Sequence, residues 1–117
     1  MGTSFVEYRG FGYWSRDSFI ESWIGSVLEE IQKQSRVEPW LRTLADEWRI
    51  QSSIDGGCIY LGLDAYLSEE PQRKIVLQTA ETALVHCPEI GRRTGELFIK
   101  LLSGELQTTS SDPIDYL

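Results

Sequence analysis

Between about residues 16 and 34, apolar side chains recur at steps of three and four: Phe19, Ile20, Trp23, Ile24, Val27, Leu28 and Ile31. That spacing puts them on one side of a helix, in a stripe too wide to leave in water. Glu21, Glu29, Glu30 and Lys33 fall on the opposite side. Ser15 is placed to cap the helix start, and Asp17 and Glu21 suit the positive end of its dipole. A helix with this much apolar surface requires the rest of the chain to supply matching faces.

Several segments supply them. Pro39 fits a first helical position, where its missing amide hydrogen is not needed. Trp40, Leu41, Leu44, Ala45 and Trp48 then share a face up to about Gln51–Ser53, and Asp55-Gly56-Gly57 reads as a turn. The run from Cys58 to Leu67 is interrupted by Gly62 and reads as a loop with a short helix at 63–67. Ser68-Glu69-Glu70-Pro71 is a helix start with Ser68 as cap. Val76, Leu77, Ala80, Ala83, Leu84 and Cys87 form the buried face of that helix, which spans about 69–87 and is stopped by Pro88. A last helix over about 93–103 turns Leu97, Phe98, Leu101 and Leu102 inward, with Gly104 as its C-terminal cap.

Residues 5–14 are dense in aromatics and glycine. The alternation of Phe5, Glu7 and Arg9 with Val6 and Tyr8 allows a short strand, but no second strand is evident to pair with it. The segment is expected to be an extended arm laid across the helices. The fold class expected is all-α, with four main helices around one core and an extended N-terminal aromatic arm. Residues 1–106 form the single domain and 107–117, rich in Ser, Thr and Asp, a flexible tail.

The chain's 117 residues suffice for one such core without disulfide staples, and its 13 aromatic residues enlarge the area buried per side chain. Eleven basic and 18 acidic residues leave a formal charge of -7. That charge opposes binding to nucleic acid and to anionic membranes, and favours a basic protein partner. The first residues lack the apolar run of a signal peptide, and no stretch approaches the ~18 apolar residues of a membrane span. A cytoplasmic location is expected, with Cys58 and Cys87 as free thiols.

No catalytic, cofactor or metal constellation emerges. His86 adjoins Cys87, but neighbours on a helix point about 100° apart and do not face each other. Cys58, His86 and Cys87 lack the paired spacing of a zinc site. The pairs Glu29-Glu30, Asp46-Glu47 and Glu69-Glu70 read as solvated faces or helix starts. Gly10-x-Gly12 lacks the third glycine and the strand–helix context of a phosphate loop. In Gly62-Leu63-Asp64-Ala65-Tyr66-Leu67, the leucines read as plugs for the bundle. Asp64 either is solvated or caps a short turn, or else joins Tyr60 and Tyr66 in a binding surface.

Three segments resemble small bacterial immunity proteins of the contact-dependent inhibition and Rhs polymorphic toxin systems. They are Arg9-Gly10-Phe11-Gly12-Tyr13-Trp14-Ser15-Arg16-Asp17, Gly62-Leu63-Asp64-Ala65-Tyr66-Leu67, and Leu101-Leu102-Ser103-Gly104-Glu105-Leu106. The resemblance covers about residues 5–106 and rests on the order and spacing of the three. It implies a non-enzymatic protein without cofactor that binds one cognate toxin domain and blocks its active site or partner contacts. The toxins are often nucleases with basic clefts. It implies no shared catalytic residues and transfers no binding site by position.

A partner surface is expected where aromatics meet acids: Tyr8, Tyr13 and Trp14 of the arm with Asp17 and Glu21, together with Asp55, Tyr60, Asp64, Tyr66, Glu69 and Glu70. The alternative is an adaptor or secretion chaperone that takes a helical partner segment into a groove. It is disfavoured because the apolar stripes look used by mutual packing.

Overall fold

A computed structural model describes residues 2–52 and 59–112. The N-terminal segment corrects the all-α expectation. It is not an unpaired arm laid across the helices; it pairs with itself. Strand β1 (Thr3–Tyr8) and strand β2 (Phe11–Arg16) form an antiparallel hairpin in the register Thr3↔Arg16 to Tyr8↔Phe11. The turn is the two residues Arg9 and Gly10, with φ of 53° and 85°. Positive φ at both positions gives the turn whose twist matches the strands it joins. Asn or Asp usually opens such a turn; arginine does so here, which is why the hairpin is hard to see in the sequence.

Alternation then sets the faces. Ser4, Val6, Tyr8, Tyr13 and Ser15 are buried against the helices, while Phe5 and Trp14 stack on the outer face with ring centres 5.3 Å apart. Gly12 is required beneath them, because a Cβ there would lie 2.7 Å from the Phe5 ring and collide with the Val6 carbonyl.

The helices follow as α1 (Asp17–Gln32), α2 (Pro39–Ser52), α3 (Leu63–Tyr66), α4 (Glu70–His86) and α5 (Glu89–Ser103). The fold is therefore mixed, five helices and a two-stranded sheet, though predominantly helical. Helix α1 is central and packs against α2, α4 and α5. Ile20, Trp23, Ile24, Val27, Leu28 and Ile31 are its buried residues within the expected stripe.

Phe98 of α5 sits between Trp23 and Trp48, at 5.7 and 6.1 Å between ring centres. Helix α5 approaches this closely because a Cβ on Gly95 would lie 2.6 Å from the Trp23 ring. The buried Trp23 Nε1 has no hydrogen-bond partner among the described residues. An unmet donor costs roughly 1–3 kcal/mol, less than the ~4–6 kcal/mol expected from burying an indole at 25 cal/mol per Å².

Three helix starts differ from expectation. Helix α1 begins after Arg16, and Ser15 instead bonds Thr94 of α5 across the core, Oγ to Oγ1 at 2.6 Å. Glu69, not Ser68, caps α4 in a reciprocal box with Gln72. Helix α5 starts at Glu89, directly after Pro88, and ends at Gly104 with φ 84°.

Candidate protein interface

The segment 59–64 runs beside the outer edge of β1 and is clamped to it at both ends. The Ile59 amide donates to Ser4 Oγ at 3.0 Å, and the Arg9 amide donates to Asp64 Oδ1 at 2.8 Å. Both clamps join residues 55 apart in sequence, so the segment lies parallel to β1. Ser4 Oγ also donates to Asp17 at 2.5 Å, which ties the start of α1 to the same corner.

Ile59, Leu61, Leu63 and Leu67 point inward and are buried. The Leu61 carbonyl accepts the Trp48 indole N–H at 2.8 Å, fixing the segment to α2. Gly62, with φ 63°, turns the chain into α3, and its carbonyl accepts the Ala65 and Tyr66 amides. Between the two clamps lies a slot of about 240 Å³ lined by residues that include Phe5, Glu7, Tyr60, Gly62 and Asp64.

The rim of this slot combines aromatic and acidic groups. Tyr60 is 70% exposed, yet its amide is held by Gln51 Oε1 at 3.0 Å, so an exposed ring stands on a fixed backbone. Ile50 of α2, also exposed, precedes Gln51. Tyr66 is half-buried; burial, and then the Glu47 carboxylate, push its phenol upward. Glu7 and Asp64 are exposed beside the rings.

The expected partner residues are thus sorted by the structure. Tyr60, Asp64 and Tyr66 come together. Tyr8 and Tyr13 lie in the core, where their hydroxyls donate to the Leu67 carbonyl at 2.8 Å and the Thr94 carbonyl at 3.2 Å. Desolvation raises the Tyr8 phenol, and the nearby Arg9 charge opposes it. Trp14 is half-exposed but on the β2 side, its indole N–H donating to the Ser110 carbonyl at 3.0 Å. Asp17 and Glu21 sit at the open end of the hairpin. Glu69 caps α4, and Glu70 is bonded to Arg73 in a separate groove with Arg9 and Phe11. Asp55 lies outside the described residues, as does Cys58.

Sequence reasoning missed Phe5, Glu7, Glu47 and Gln51. Phe5 and Glu7 share the outward parity of β1, a signal that becomes usable only once the hairpin is known.

Among the described residues, no group of three or more His, Cys, Asp or Glu is placed to hold a metal ion. Glu30, Asp46 and Glu70 pair with Lys33, Arg49 and Arg73 one turn along their own helices. Cys87 is buried with a free thiol donating to the Pro88 carbonyl, and His86 is exposed at the end of α4. No described helix is long and apolar enough to cross a membrane. No protein-family model, curated protein or solved structure matches the chain.

Proposed function

We propose that this protein is an immunity protein, which binds a cognate bacterial toxin domain in the cytoplasm and occludes its active site or partner surface without transforming any substrate. The observation that carries this reading is the slot beside β1, where the exposed Tyr60 stands on a clamped backbone with Glu7 and Asp64, and the half-buried Tyr66, with Glu47 near it, flanks Gly62 from the other side. Tyrosine on a rigid base contributes contact area at little entropic cost and is enriched among residues that dominate binding energy. The acids around it, on a chain of charge -7, steer a basic surface into place and reject acidic ones. A nuclease domain, whose cleft must attract phosphate, offers such a basic surface.

The test is to ask whether a neighbouring gene encodes a large protein with a toxic C-terminal domain, to co-express that domain with this protein, and to measure binding on the purified pair. Rescue of growth and a 1:1 complex are expected. Tyr60→Ala should weaken binding by about tenfold or more, the loss of a central aromatic anchor. Glu7→Lys should slow association and flatten its salt dependence, leaving dissociation nearly unchanged. Absence of a complex, or wild-type binding by both variants, would overturn the proposal.

A further inference from the structure

The opposite edge of the hairpin carries a second and chemically different groove. The segment after α5 returns along β2: the Gly12 amide donates to the Thr108 carbonyl at 2.8 Å, and Thr108 Oγ1 donates back to the Gly12 carbonyl at 2.6 Å. Together with α5 this segment encloses a groove of about 430 Å³. That volume falls within the range of small-ligand pockets. One wall is the half-exposed indole of Trp14, and the floor includes Leu97 and Leu106. Arg93 and Lys100 line it from α5, two turns apart, with Leu97 between them on the same face.

Neither cation has an acid within 4 Å among the described residues. Among the described residues that line it, the acid is Asp112, which is engaged by Thr109, whose amide and hydroxyl both donate to it. A chain of charge -7 therefore holds, in this groove, two cations that have no ion-pair partner among the described residues, beside an aromatic wall.

We infer that this groove binds a small organic anion: an aromatic or branched apolar body against Trp14, Leu97 and Leu106, with a carboxylate or phosphate held between Arg93 and Lys100. The apolar body accounts for the indole and leucines, and the anionic head for the cations. Arginine's planar fork and lysine's mobile ammonium suit either head group. The inference is independent of the partner surface, which lies on the other edge of the hairpin.

The experiment is an NMR titration of the full chain that follows the Trp14 indole N–H and the Thr108 amide. The probes are phenyl phosphate, phenylacetate, inorganic phosphate and benzyl alcohol. Saturable shifts at both reporters are expected with at least one aromatic anion, and the stronger of the two identifies the head group. Inorganic phosphate, which lacks the body, and benzyl alcohol, which lacks the charge, should each bind about tenfold more weakly. Arg93→Gln and Lys100→Gln, both at exposed positions, should each weaken binding several-fold, and the double variant by about tenfold or more, the worth of one charge-assisted contact. The inference is overturned by any of three results: no saturable shift up to about 10 mM probe, equal binding of benzyl alcohol and the anions, or undiminished binding by a double variant whose remaining spectrum is unchanged.

Discussion

The two edges of the hairpin are closed by different means. Beside β1 runs a segment held by burial: Ile59, Leu61 and Leu63 enter the core, and the polar clamps at Ser4 and Asp64 set only its register. Beside β2 runs a segment whose residues from Thr109 to Asp112 are exposed, and which is held by hydrogen bonds to Gly12 and Trp14. Burial of a leucine contributes several times the net worth of one hydrogen bond. The β1 edge is therefore the firm one and the β2 edge the soft one. Their charges also differ, with Glu7 and Asp64 at the first and Arg93 and Lys100 at the second. A stiff acidic edge suits a surface that must be ready before its partner arrives; a softer basic edge suits a groove that admits a small ligand.

The largest expected effect strikes both edges at once. Gly12→Val would drive a side chain into the Phe5 ring and the Val6 carbonyl. It should destabilise the protein by about 3 kcal/mol or more in urea unfolding, since overpacking and strand displacement add. A near-neutral result would mean that the hairpin does not hold the stated register.

The comparison itself is tested by two deletions. Leu61→Ala, on the firm edge, should cost about 2–3 kcal/mol by leaving a cavity. Ending the chain after Gln107, on the soft edge, should cost only about 1 kcal/mol for the lost hydrogen bonds, and should shift Trp14 emission to the red. Equal costs would break the distinction.

Smaller is the turn that joins the edges. Arg9→Asn places a residue tolerant of positive φ where the turn needs one, and should raise stability by about 0.5 kcal/mol. A loss instead would show that the stacking of the Arg9 guanidinium on the Tyr8 ring, at 4.8 Å, outweighs backbone strain.

The smallest effect is electrostatic. The Arg73 guanidinium holds the Glu70 carboxyl below the usual glutamate range. A lowered acid contributes stability that is present above its ordinary pKa and is lost as the pH falls through the lowered value. Acid titration of stability should therefore show a slight loss below the usual glutamate range, and Glu70→Gln should remove it. Because Glu70 is exposed, the effect is expected to be close to the limit of measurement.

Much of the helical body was legible in the sequence because its signals are local. The stripe from Ile20 to Ile31, Pro39 at a helix start and Gly104 at a helix end each act within a turn or two of chain. The hairpin was not legible because its turn lacks the usual Asn-Gly or Asp-Gly signal, and because Tyr8 and Tyr13 look like surface aromatics until the pairing register assigns them inward. Of the partner surface, Tyr60, Asp64 and Tyr66 could be picked out by residue type. Phe5 and Glu7 could not, since they reach the slot from a strand more than 50 residues away in sequence.

From the sequence alone follow the approximate positions of the helices and their sharing of one aromatic-rich core beneath an acidic surface, since periodicity and capping are properties of short stretches of chain. Which aromatics are buried, which edge of the hairpin each flanking segment covers, and where acids and cations gather are settled by packing across the fold. Those outcomes depend on pairing register and on contacts between residues 55 to 96 positions apart, which no local pattern encodes.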